Sequence, residues 1–157
     1  MRLYWLRHGI AADRESWSGE DADRPLTPDG RKSMEREAKS IAALDLQLER
    51  IITSPLKRAK ETAQIVADRL PDAKLSEDQR LAGLNRQRLS ALLTEHRGTD
   101  SLLLVGHEPD FSSTISEITG GSQIVVKKGG LARVDLTDPS ALDGELVWLI
   151  PPKVLTR

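Results

Sequence analysis

The sequence contains no cysteine, which excludes a disulfide framework, a thiolate metal site and a thiol nucleophile. It also lacks an excess of charge of either sign. Its 23 basic residues face 24 acidic ones, for a net charge of −1. Nothing global therefore draws the chain to nucleic acid or to an anionic membrane. No run is long and apolar enough to span a bilayer, and the first residues carry no signal-peptide pattern, so a cytoplasmic protein is expected. Internal repeats and low-complexity segments are missing as well. What is there is 157 residues, 38% hydrophobic and 30% charged, the composition of an ordinary soluble protein. That length suits one domain over 1–157, able to bury about 70% of the surface its unfolded chain exposes.

Short apolar runs alternate with helical patterns. "LYWL" (Leu3 to Leu6), "RIIT" (Arg50 to Thr53), "AKLS" (from Ala73) and "SLLLV" (Ser101 to Val105) read as strands. "ADRESWSGEDADR" is polar and loop-like. "LTPDG" opens a helix, with Thr27 as N-cap, Pro28 in the first turn, and Met34, Ala38, Ile41 and Ala42 on its apolar face. "SPLKRAKETAQIVADRL" reads as a second helix, capped by Ser54 and starting at Pro55. A third carries Leu89, Leu92, Leu93 and His96 on one face and is expected to end at Gly98. "EPDFSSTISEI" starts a fourth, and "GGLARVDL" and "ELVWLIP" finish the chain as strands. Strand and helix in alternation predict a three-layer α/β domain, with a mainly parallel sheet covered by helices on both faces. The short turn between the last two strands makes them an antiparallel pair at one edge.

Ligands in such sheets bind beyond the carboxyl ends of the strands. The first strand ends in Arg7, His8 and Gly9; the second leads into a helix that carries Arg58; "SLLLV" ends in Gly106 and His107. Two histidines and two arginines from remote parts of the chain thus meet on one edge. Helix N-termini beside them favour an anion, so the edge reads as a phosphoryl site. Any one of these pieces alone has a bland reading: an arginine reaching solvent, a capped helix, a histidine on a loop carbonyl. Their order and context together carry the assignment. Thr62 lies one turn after Arg58, and packing is its expected role, with support of Arg58 as the alternative. Arg24 is either a solvated loop cation or a further phosphate contact. His96 is assigned to structure, as a cation welcome at a helix C-terminus. No cluster of carboxylates and histidines suggests a metal, and no cofactor is expected.

The ordered motifs "LRHG", "SPLKRAKETA" and "VGHEP" resemble those of the histidine phosphatase superfamily, the phosphoglycerate-mutase-like proteins. "RHGIA", "RPLTPDG", "KKGGLARVDL" and the terminal "WLIPP" extend the likeness, nearly end to end, to the SixA-type phosphohistidine phosphatases. The resemblance implies a minimal phosphoglycerate-mutase-like fold without a lid insertion. It implies a phosphatase in which His8 is the nucleophile and passes through a phosphohistidine, while Arg7, Arg58 and His107 hold the phosphoryl group. Gly9 would let the backbone turn close under the phosphate, and Arg24 would reach it from the loop.

In one respect the sequence departs from many relatives that cleave phosphate esters, which carry an acid after the third strand. In "DQRLAGLNRQR" no carboxylate lies between Leu81 and Arg88, and the "P-x-G" turn of SixA-like sequences is not kept. An imidazole leaves from phosphorus without an acid far more readily than an alkoxide does. A phosphohistidine on a partner protein is therefore the expected substrate, and the short chain leaves little to build a lid. The alternatives are an ester phosphatase using Glu77, Asp78 or Glu108 as acid, a phosphate-binding module without catalysis and, last, a metal hydrolase.

Overall fold

β1 (Arg2–Arg7) is apolar from Leu3 to Leu6 because both of its faces are covered. Leu3 and Trp5 enter one core with Leu102, Leu104, Leu89 and Phe111. Tyr4 and Leu6 enter the other with Leu103, Val105, Met34 and Ala63. This two-residue alternation is what a strand must show when helices pack above and below it. The computed structural model describes residues 1–157.

One six-stranded sheet organises the chain: β1, β2 (Arg50–Thr53), β3 (Lys74–Glu77), β4 (Ser101–Gly106), β5 (Leu131–Asp138) and β6 (Asp143–Ile150). Their spatial order is β3-β2-β4-β1-β5-β6. The first four run parallel, while β5 is antiparallel to both β1 and β6. Helices α1 (Pro28–Ala43) and α2 (Lys57–Ala67) cover one face, and α3 (Arg86–Glu95) and α4 (Asp110–Ile118) the other. The three-layer, mainly parallel architecture is thus as the sequence implies, and no inserted subdomain interrupts it. A short α5 (Pro152–Leu155), beyond the last strand that the sequence predicts, packs Leu155 onto the α1/α2 face.

Register decides where the functional edge lies. Arg7 of β1 pairs with Gly106 of β4, and Thr53 of β2 pairs with Val105. His8, Ser54 and His107 therefore leave three neighbouring strands at one level. The His8 N–H donates to the Gly106 carbonyl at 3.0 Å, and the Ser54 N–H to Val105 at 3.0 Å.

The structure corrects two helix ends. Thr27 caps α1 as expected, its Oγ1 accepting from the Gly30 N–H at 2.9 Å. The second helix, however, begins at Lys57 with Leu56 at the cap position, so Ser54 and Pro55 precede it. α3 stops at Glu95 with His96 as C-cap, before Gly98.

Candidate active site

The loop after β1 and the start of α2 are joined by one hydroxyl. Thr62, fully buried on α2, accepts the Gly9 N–H at 3.1 Å and donates to the Arg58 carbonyl at 2.7 Å. Packing alone, the role expected for it, understates this. The side chain ties the backbone beside His8 to the turn that carries Arg58. The Gly9 amide is engaged by Thr62, so the expected contribution of Gly9 is left to its backbone course beside His8. A Cβ at Gly9 would lie 2.6 Å from Met34 Cγ, so close packing on α1 accounts for the glycine.

His8 is buried, and its Nδ1 lies 2.7 Å from the Gly9 carbonyl. A carbonyl only accepts, so Nδ1 carries the proton and Nε2 keeps its lone pair. Burial drives the His8 pKa down to about 3, against the Gly9 bond and with help from His107, Arg58 and Arg7. The ring is neutral at pH 7. The two histidine rings lie 5.3 Å apart, centre to centre. His107 Nε2 is 2.7 Å from Ser54 Oγ, which also accepts the Leu56 N–H at 3.3 Å. Burial first, then Arg58 and Arg7, lower the His107 pKa to about 4, with Asp21 opposing. His107 is thus neutral in the free protein; a phosphoryl dianion against it would supply the countercharge for its protonation.

A crevice of about 660 Å³ brings together Arg7, His8, Arg24, Arg58, His107 and Glu108. Its donors are held from behind. Arg7 Nη1 donates to the Val126 carbonyl at 3.0 Å. Arg58 donates to the Asp21 carbonyl at 2.9 Å and to its carboxylate at 3.2 Å. Asp21 also accepts from Arg24 Nε at 3.2 Å, while Arg24 Nη1 reaches the Ala12 carbonyl at 2.8 Å. Burial works against ionisation of Asp21, but Arg58 and Arg24 outweigh it and hold its pKa below the usual value. Arg24 is therefore no solvated loop cation. Arg7 Nε, Arg58 Nε and His107 Nδ1 are buried without a hydrogen-bond partner. Leaving such nitrogens unpaired is costly, and the guanidinium charges of Arg7 and Arg58 at the crevice suit an anion with several acceptor oxygens.

Sequence motifs, a neutral imidazole with a free nitrogen, and convergent guanidinium groups agree with one comparison in particular. The sequence model of the histidine phosphatase superfamily (branch 1) matches residues 3–102. The chain belongs to the histidine phosphatase superfamily. An uncharacterised protein of Picosynechococcus sp. is 38% identical, over 99% of each chain. The phosphohistidine phosphatase SixA of Escherichia coli is 28% identical, over 97% of this chain and 94% of its own. Among solved structures, the protein histidine phosphatase SixA complexed with tungstate superposes with a TM-score of 0.84 at 26% identity, over 99% of each chain.

The acids considered from this phosphatase's sequence separate clearly. Glu77 pairs with Lys60 at 2.8 Å and lies outside the crevice. Asp78 is also outside; it is bound by Arg80, whose hydrogen bonds hold its pKa low. Glu108 lines the crevice, and its Oε1 accepts the Ser112 N–H at 2.9 Å. His96 sits at the α3 C-terminus, but burial and then Arg50 lower its pKa, which disfavours the cation expected there. No group of three or more histidine and acidic side chains is placed to hold a metal ion, and no helix is long and apolar enough to cross a membrane. Sequence reasoning missed Asp21, Arg14 and Lys128. Arg14 and Lys128 stand on the crevice rim, and Asp21 pairs with three arginines, Arg14, Arg24 and Arg58. Asp21 lies 37 residues from Arg58 in a polar loop, and nothing local marks it.

Proposed function

We propose that this protein is a phosphohistidine phosphatase acting on proteins, with His8 as nucleophile. The observation that carries the reading is the His8 tautomer. Nδ1 is committed to the Gly9 carbonyl, which leaves the Nε2 lone pair for phosphorus in a crevice lined by Arg7, Arg58 and His107. In the first step the His8 Nε2–P bond forms and the substrate's P–N bond breaks. The bonding pair stays on the departing imidazole, which leaves neutral when its other nitrogen carries a proton, so no enzyme acid is required. His8 is then an Nε2-phosphorylated imidazolium, its Nδ1–H still on Gly9. Water replaces it at phosphorus, inorganic phosphate departs, and His8 returns to the neutral ring. The arginines and His107 act by position and charge on the transferring group.

The likeness to SixA supports this substrate class, as does the absence of a carboxylate at the usual ester-cleaving position. The test is a parallel rate comparison on a phosphohistidine peptide and on p-nitrophenyl phosphate, in chelator-treated protein. The reading expects a strong preference for the P–N bond and no loss on chelation. One observation favours a second reading, cleavage of phosphate esters: Glu108 lines the crevice and could protonate an alkoxide. Glu108→Gln separates the two. Under the first reading the P–N rate stays within a few fold, whereas an ester reaction dependent on Glu108 falls about 10²-fold or more.

A further inference from the structure

The floor of the crevice accounts for the phosphoryl group, but its rim holds side chains that such a group does not need. Ile10 lines the crevice and is 48% exposed. Its backbone is held, since its carbonyl accepts the Thr27 N–H at 2.9 Å. Arg14 lines the same rim with its side chain 76% exposed, and its single ion pair is a long one, 3.6 Å to Asp21. Lys128 is exposed and forms no ion pair. Its place beside the nucleophile is nonetheless fixed. The next residue, Gly129 at φ +79°, donates its N–H to the Arg7 and His8 carbonyls at 3.1 and 3.2 Å.

Acidic residues are present too, and they are fewer. Asp13, Glu15 and Glu108 line the crevice against Arg7, Arg14, Arg24, Arg58 and Lys128. Asp13 and Glu15 are exposed beside Arg14, Asp13 accepting the Glu15 N–H at 2.7 Å, while Glu108 accepts the Ser112 N–H at 2.9 Å. The rim thus presents an exposed apolar side chain together with two exposed cations, Arg14 and Lys128, outside the guanidinium groups that face the phosphoryl site. A phosphoryl group alone offers Ile10 no apolar partner, and Arg14 and Lys128 no further anion. A polypeptide offers both.

We propose that Ile10, Arg14 and Lys128 form a docking rim for a protein segment that presents an apolar side chain and acidic side chains beside its phosphorylated residue. This rests on the reading of the crevice as a phosphohistidine site and specifies the partner's surface. Charges at such a rim act through encounter, so their effect falls in kcat/KM and weakens with salt.

Two twelve-residue phosphohistidine peptides test it, one flanked by Asp, Glu and Leu, the other by Lys and Gly, with the phosphoramidate ion as a probe that has no flanks. The wild-type protein should favour the acidic, Leu-bearing peptide by about tenfold or more in kcat/KM. Arg14→Glu/Lys128→Glu should reverse that preference, and Ile10→Ser should lower kcat/KM for the Leu-bearing peptide by about fivefold. Both variants should hydrolyse phosphoramidate within about threefold of wild type, by the same logic. Unchanged peptide selectivity in the charge-reversed variant overturns the rim. An equal loss on phosphoramidate also overturns it, by moving these residues into the phosphoryl site. A wild-type protein that hydrolyses phosphoramidate and both peptides without discrimination leaves the phosphohistidine reading standing and removes the rim. One that hydrolyses none of the three overturns the phosphohistidine reading itself.

Discussion

His8 and His107 are neutral at pH 7 for one physical reason: each is taken out of water among guanidinium groups, where an imidazolium is disfavoured. They differ in what holds them. His8 is oriented by a carbonyl and His107 by the Ser54 hydroxyl, which can donate to a neutral ring or accept from a protonated one. Ser54→Ala should therefore lower kcat/KM by about tenfold and cost about 1 kcal/mol of stability, read by steady-state kinetics and denaturant unfolding. Glu37 shows the opposite electrostatic case. It is 2% exposed on α1, one carboxylate oxygen bonded by Ser33 at 3.1 Å and the other unpartnered. Burial raises its pKa to about 7, over the opposing effects of Ser33 and Arg36. A raised acid pKa means that the unfolded chain releases its proton first as pH rises. Stability from this group is full below the ordinary value of 4.5 and is lost as pH climbs through about 7. Glu37→Gln should accordingly raise the melting temperature at pH 8, by a gain on the order of a few kcal/mol, and change it little at pH 4. An equal shift at both pH values would contradict that assignment.

Among the elements, α2 does the most to assemble the site, because it carries both Arg58 and the Thr62 hydroxyl that seats the His8–Gly9 backbone. Thr62→Val keeps the shape and removes both hydrogen bonds. It should lower kcat by about 10- to 100-fold with KM nearly unchanged, since misplacement acts on the reacting geometry. Thr62→Ser should recover most of the rate, an outcome that a purely space-filling role would not produce. This element also marks the limit of what its sequence made legible. Ser54-Pro55 has the pattern of a cap followed by a first helical residue, yet the helix starts at Lys57. The Ser54 hydroxyl is engaged by a histidine 53 residues away, and no local pattern reports such a partner. Thr62 was underread for the same reason, its second partner being Gly9. By contrast, Thr27 caps α1 through Gly30, three residues on, and that was readable from "LTPDG" alone.

At the scale of the whole molecule, the architecture was legible because each central strand is apolar on both faces and each helix keeps its stripe, so tertiary structure follows local pattern. Convergence of Arg7, His8, Arg58 and His107 followed from the rule that parallel strands deliver their carboxyl ends to one edge. The backing of that edge did not follow, because Asp21 comes from a single 3-10 turn (Asp21–Asp23) inside a polar segment and Glu37 of α1 faces Gly129 from far along the chain. All these parts serve one claim, that a neutral His8 accepts the phosphoryl group. Rapid quenching of the protein with radiolabelled phosphoramidate tests it most directly. The predicted result is an acid-labile, alkali-stable phosphoryl group that maps to His8, forms before phosphate is released, and disappears together with turnover in His8→Ala. Undiminished turnover in His8→Ala, or label on any other residue, would contradict it.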